Sequence, residues 1–223
     1  MEKIVNVYKP TGMTSYDVVR RVKRLMPGIK VGHAGTLDPF AEGVLLILIG
    51  EATKKMSQLL QLPKFYQAVL RLGESTASGD NTTPIIQTAP VPELDAASFQ
   101  HVTTQFLGEY HQIPPAYSAK KIKGQPAYRL VRRGSQPELK PVVVKIYNLE
   151  LQIVDARTIS LAVQCSSGTY IRRLGEDLAR AIGTVGHLVS LKRTAIGDYL
   201  AEEAICLSEL PQALSRLPQG AFV

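Results

Sequence analysis

The sequence predicts an α+β fold: a mixed, largely antiparallel sheet flanked by helices and loops. Three patterns carry that expectation. Residues 3–10 ("KIVNVYKP"), and the stretch from "VVVKIYNLELQIVD" through "TISLAVQCS", alternate apolar and polar side chains, as strands with one buried face do. Val44 to Ile49 ("VLLILI") is continuously apolar, the pattern of a strand covered on both faces. Val18, Val22 and Leu25, and later Ile171, Leu174, Leu178 and Ile182, recur at helical spacing, so helices accompany the strands.

Taken in order, the first strand ends at Pro10, and "TSYD" (Thr14 to Asp17) resembles a capping box with Asp in place of Glu that opens a helix. Its outer face carries Arg20, Arg21, Lys23 and Arg24, which suits either a solvated surface or RNA contact. The glycine-rich loop "GHAGTLDPFAEG" (Gly32 to Gly43) leads into the apolar strand, and "FYQAVLRLG" (Phe65 to Gly73) reads as another strand. Residues 74–92 are turn-rich, and "DAASFQHVTTQF" reads as a helix capped by Asp95; together, about 74–112 form an insert. Between Pro114 and Gly134 lie Lys120, Lys121, Lys123, Arg129, Arg132 and Arg133 with no acid, interleaved with Tyr117 and Tyr128. A basic loop with aromatics offers phosphate contacts and stacking surfaces together. The last helix, "GTYIRRLGEDLARAIG", takes Thr169 as its expected N-cap.

Composition narrows the function classes. A chain of 223 residues, 45% hydrophobic and 20% charged, builds a globular core, and a single domain is expected. The net charge of +7 favours a polyanionic partner. No basic-then-apolar leader and no apolar run of membrane-spanning length is present, so a cytoplasmic protein without membrane attachment is expected. Cys165 and Cys206 stand far apart, which suggests neither a disulfide framework nor a zinc knuckle. No dinucleotide fingerprint, P-loop or nucleophile elbow occurs. The four histidines fall into no ligand spacing, and His33 with Asp38 and Glu42 would make a poor metal site, so neither metal nor cofactor is expected.

What remains is Asp38, in a glycine-bounded loop at the edge of the core. A carboxylate there serves as nucleophile or base, or is simply a turn residue before a proline. Arg172 breaks a local rule, because a cation in the first turn of a helix opposes the dipole. It is either a candidate to pair with a nearby anion or an exposed arginine costing a few tenths of a kcal/mol.

At these residues the chain resembles the TruB family of tRNA pseudouridine synthases. "GHAGTLDPFAEGVLLILIGEATK" is similar to the family's catalytic segment and "VYKPTGMTSYDVV" to its opening lysine-proline motif. "KFYQAVLRLGESTASGD" resembles its tyrosine-bearing strand, "QIPPAYSAKKIKGQPAYRLVRRG" its RNA-closing loop, and "CSSGTYIRRLGEDLA" and "GHLVSLKRTAIG" its last two motifs. The resemblance implies the pseudouridine synthase fold and the cofactor-free isomerisation of uridine 55 in the T-loop of tRNA. By the same resemblance Asp38 is the catalytic aspartate, Arg172 the arginine paired with it, and Tyr66 the tyrosine that stacks on the target base and is placed for proton removal. Tyr170 and Leu191 then line the uracil pocket, His33 fills the space left by the flipped base, and Lys9 with Pro10 supports the active-site loop. The resemblance further implies a monomer that binds the T-arm and elbow of tRNA and a basic loop poorly ordered without RNA. The chain is expected to lack the C-terminal PUA domain of many members. A non-catalytic tRNA-folding chaperone, and a synthase acting on another T-loop-like RNA, are the alternatives.

Overall fold

The computed structural model describes residues 2–118, 120–122, 124–133 and 139–216. In chain order these form β1 (Glu2–Lys9), α1 (Ser15–Leu25), β2 (Val31–Ala34), β3 (Glu42–Gly50), α2 (Met56–Gln61), β4 (Lys64–Leu72), β5 (Glu74–Thr76), β6 (Ile85–Thr88), α3 (Ala96–Thr104) and β7 (Gly108–Gln112). There follow β8 (Lys121–Ile122), β9 (Gln125–Pro126), α4 (Ala127–Arg132), β10 (Val142–Asp155), β11 (Thr158–Cys165), α5 (Ile171–Ile182), β12 (Gly186–Ile196), β13 (Tyr199–Leu200) and α6 (Leu210–Ser215). The α+β class is as expected: helices accompany strands whose described pairings are mostly antiparallel, with one parallel pair of named strands, β12 with β3. The chain resolves into two compact units, Met1–Phe65 with Lys192–Val223, and Tyr66–Leu191.

The first unit is organised around β3. On one edge β1 pairs along its whole length, from Glu2 opposite Gly50 to Lys9 opposite Gly43. The other edge is shared: β2 takes Leu46 to Ile49 antiparallel, and the end of β12 takes Glu42 and Gly43 in parallel. Both faces of β3 are covered, as its unbroken apolar run predicts. Leu45, Ile47 and Ile49 pack with Val5, Val7, Val18, Val19, Val22 and Leu210, while Val44, Leu46 and Leu48 pack with Ala34, Ala52, Leu59 and Ile196. Each buried Val, Leu or Ile here contributes about 1.5–3 kcal/mol on burial.

Helix α1 begins with the capping box that its sequence suggests. The Asp17 amide donates to Thr14 Oγ1 at 3.1 Å, and the Thr14 amide donates to an Asp17 carboxylate oxygen at 2.9 Å. Val18, Val19 and Val22 are buried, and Arg20, Arg21, Lys23 and Arg24 face solvent. Leu25 departs from expectation: it is 38% exposed, and the stripe is continued by Met26.

In the second unit the strands run in the order β12, β4, β11, β10, β7. β10 is antiparallel to both β11 and β7. Helix α5 buries Ile171, Leu174, Leu178 and Ala179, and Gly175 brings it close, since a Cβ there would lie 2.9 Å from Leu188 and 3.3 Å from Leu70. The helix ends at Gly183, whose φ of 97° requires glycine.

Three expectations are corrected here. The turn-rich stretch contains an antiparallel hairpin of β5 and β6. The end of the supposed insert is β7, which pairs from Gly108 to Gln112 with β10 and so belongs to the sheet. The basic stretch from Pro114 is more than loop, for it contains the β8–β9 hairpin and α4. Among the described residues no helix is long and apolar enough to cross a membrane.

Candidate active site

The loop that carries Asp38 joins β2 to β3 and is held from several directions within its own unit. At the end of β1, Lys9 is fully buried and its Nζ donates to the carbonyls of Pro10 (2.8 Å), Met13 (2.8 Å) and Ala41 (2.6 Å). Ser15, the first residue of α1, brackets Leu37: its Oγ accepts from the Leu37 amide at 2.8 Å and donates to the Leu37 carbonyl at 3.0 Å. The Gly12 amide donates to Pro39 O, and the Ala41 amide turns back to Asp38 O at 3.1 Å. From β12, Arg193, only 1% exposed, donates to the carbonyls of Gly35, Thr36 and Val44. Gly43 ends the loop at φ 109°, where a Cβ would lie 2.2 Å from the Arg193 carbonyl oxygen, so the close parallel pairing there admits only glycine. Asp38 itself is half-buried.

The surroundings of this loop are electrostatically unusual. Burial pushes the Lys9 ammonium down from 10.5 to about 8, with the Asp38 charge opposing the shift and Arg193 adding to it. His33 sits on β2, and burial, assisted by Arg193, lowers its pKa below the ordinary histidine value and favours the neutral ring. Its Nδ1 is buried and finds no hydrogen-bond partner among the described residues.

In the second unit, Tyr66 and Leu191 are both buried and lie on the neighbouring strands β4 and β12. Tyr170 precedes α5, and its backbone is gripped by the fully buried Gln112, which accepts from the Tyr170 amide at 2.8 Å and donates to the Tyr170 carbonyl at 3.0 Å. That grip accounts for the miss at Thr169: Tyr170 is the N-cap, and Thr169 instead gives its hydroxyl to Ser166 O at 2.9 Å. Arg172 is buried in the first turn of α5 and donates to Ser78 O at 2.5 Å and Tyr117 O at 2.9 Å, with Asp80 at 3.6 Å. Two carbonyls and a carboxylate offset the dipole penalty, which removes the exposed-arginine reading.

Of the basic segment, Lys120 is half-buried with Nζ 3.4 Å from Lys140 O, while Arg129 and Arg133 are exposed. Lys121 lies in β8 and Arg132 in α4, and Lys123 falls outside the described residues.

Four residues here went unread in the sequence. Asp80 sits in "SGDNTT", where neighbouring Ser and Thr signal an Asx-type turn: Ser78 Oγ donates to its carboxylate at 2.6 Å and the Thr82 amide at 3.0 Å. Gln112, Ser15 and Arg193 give no comparable local signal, since each is polar in a stretch where polar residues ordinarily face water.

Comparison with known proteins gives the family. Residues 22–171 match the family model of the TruB family pseudouridylate synthase N-terminal domain. Over the full chain, the tRNA pseudouridine synthase B of Caldanaerobacter subterraneus is 42% identical, with 79% of that protein covered. The tRNA pseudouridine synthase B of Bordetella avium is 39% identical, with 99% of this chain and 95% of that protein covered. Among solved structures, a Cbf5–Nop10–Gar1 complex matches 94% of this chain with a TM-score of 0.72 and 28% identity. An H/ACA RNP bound to a substrate RNA containing 2′-deoxyuridine matches with a TM-score of 0.69 and 26% identity, and the chain spans about half the length of either matched chain. The family match and these relatives, similar along the whole chain, establish that the chain belongs to the TruB family of pseudouridylate synthases.

Proposed function

We propose that the chain isomerises uridine 55 in the T-loop of tRNA to pseudouridine, with Asp38 as the catalytic carboxylate. Membership of the family and relatives named tRNA pseudouridine synthase B, similar along the whole chain, support tRNA pseudouridylation as the activity. The observation that carries the assignment of Asp38 is the scaffold beneath it: three buried side chains, Lys9, Ser15 and Arg193, hydrogen-bond the backbone of one short loop and the strand residue just beyond it, at Ala41, Leu37, Gly35, Thr36 and Val44. A turn aspartate with no task does not call for that rigidity, whereas a reacting carboxylate does.

The reaction breaks the C1′–N1 glycosidic bond, turns the uracil while it is held, and joins C1′ to C5; the C5 proton leaves and N1 regains one, so atoms balance without a redox partner. Asp38 serves as nucleophile or as base in that sequence. The target nucleotide must leave its stack for C1′ to be reached, and the flipped base needs an aromatic platform and a dry pocket. Tyr66 is the proposed platform, Tyr170 and Leu191 the pocket walls, and neutral His33 the group that occupies the vacated space. Arg172 is proposed as a residue required for catalysis. Lys120, Lys121, Lys123, Arg129, Arg132 and Arg133 are the proposed phosphate contacts.

The test is to incubate an unmodified tRNA transcript with the wild-type protein and with Asp38→Asn, then map pseudouridine by chemical labelling and primer extension. Signal at position 55 from the wild type alone is the expected result. Binding without modification by the wild type would favour the chaperone reading, and modification elsewhere would redirect the enzyme to another RNA.

A further inference from the structure

We propose that Arg193 is a positioning residue for the reaction, fixing the backbone of the Asp38 loop from both of its ends. The inference rests on Asp38 being the catalytic carboxylate. β2 and β12 share one edge of β3. Pairing with β2 ends at Leu46, opposite Ala34, and pairing with β12 begins at Gly43, opposite Arg193. Val44, fully buried, falls in the gap between the two pairings. The Arg193 side chain fills that gap, with Nε donating to Val44 O at 2.7 Å.

The same guanidinium then reaches the other end of the loop, where Nη2 donates to Gly35 O at 3.0 Å and Nη1 to Thr36 O at 3.3 Å. Its planar fork thus ties residues 35 and 36, ahead of Asp38, to residue 44, beyond it, next to where the β2–β3 pairing stops. Lysine, a point donor on a flexible stem, cannot reproduce three bonds fixed in one plane. The acceptors named are neutral carbonyls, so the charge is committed to geometry where an ion pair would have been the ordinary use of a buried arginine. The backbone of Arg193 adds a further tie, because it packs so closely on Gly43 that a Cβ would not fit. Lys9 and Ser15 hold the middle of the loop at Ala41 and Leu37, which leaves the distance between its ends to Arg193 alone among these three.

The experiment compares wild type, Arg193→Lys and Arg193→Met in single-turnover and steady-state pseudouridylation of a tRNA transcript, with amide hydrogen exchange on the same samples. A misplacement of about 1 Å at a reacting group costs on the order of 10²-fold. Arg193→Met is therefore expected to lower kcat by about that factor with KM for tRNA within about twofold, and Arg193→Lys to recover only part of the loss. Exchange at the Leu37 and Ala41 amides is expected to quicken by at least about tenfold in Arg193→Met, while that of α1 and β1 stays as in wild type. Unchanged kcat, a rise in KM alone, uniformly faster exchange across the unit, or failure of both variants to fold would overturn the proposal. A wild type without activity would refute the functional reading, and the exchange pattern would still decide whether Arg193 positions the loop.

Discussion

Gln112 and Arg172 illustrate how single side chains replace regular structure where α5 begins. A helix start leaves amides without partners, and Tyr170 has no capping side chain of its own. Gln112 acts as a peptide surrogate, pairing both the amide and the carbonyl of Tyr170. Replacing it by leucine removes this acceptor from the Tyr170 amide, while the Tyr170 carbonyl keeps the Leu174 amide at 3.0 Å, so Gln112→Leu is expected to destabilise the protein by about 1–3 kcal/mol, measured by urea unfolding. A loss below about 0.5 kcal/mol would mean that water or another side chain already serves Tyr170. At Arg172 the sequence raised the right question, for a cation in the first turn needed an explanation. Its carbonyl partners at Ser78 and Tyr117 could not be foreseen, because they come from turns distant in sequence.

At the level of elements, hydrophobic periodicity and the α1 capping box are legible in the sequence. The strand β3 was legible because a run buried on both faces leaves no polar position, and α1 because Thr14 and Asp17 form a local motif complete within four residues. Thr14→Ala is expected to cost about 1 kcal/mol of stability by thermal unfolding. What escaped was long-range: β7 looked like the end of an insert because its partner, β10, lies some thirty residues further on. Likewise α4 and the β8–β9 hairpin are short, and their lysines and arginines mask any periodicity.

The end of β1 makes a further prediction through Lys9. Its folded-state pKa of about 8 lies below the ordinary 10.5, so between those values the unfolded chain binds the extra proton. The Lys9 contribution to stability therefore rises with pH across that window, by at most about 1.4 kcal/mol per pH unit. The stability of wild type relative to Lys9→Met should increase from about pH 8 to about pH 10.5 in denaturant titrations. A difference that is flat or falls over that range would show that the ammonium is not under the burial penalty inferred here.

For the whole molecule, the net charge of +7 and the exposed cations of α1, with Arg129 and Arg133, point to an RNA partner. The balance was legible at once, but which cations matter was not, because a solvated helix face and a phosphate-binding face have the same composition. Salt dependence separates them. If Arg129 and Arg133 each contact a phosphate, Arg129→Gln with Arg133→Gln should reduce the slope of log K against log salt for tRNA binding by roughly 1.4–1.8. The same pair of substitutions at Arg21 and Arg24 tests the α1 face, and an unchanged slope there would assign it to solvent.

The central claim is that Asp38 performs uridine isomerisation on tRNA, and it is tested most directly by release of the C5 hydrogen. A tRNA transcript carrying tritium at C5 of its uridines, held with excess protein, reports a single turnover. Wild type is predicted to release tritium stoichiometric with one uridine per tRNA, while Asp38→Asn binds the same transcript and releases none. Release by Asp38→Asn at the wild-type rate, or none by wild type on a transcript that it binds, would contradict the account.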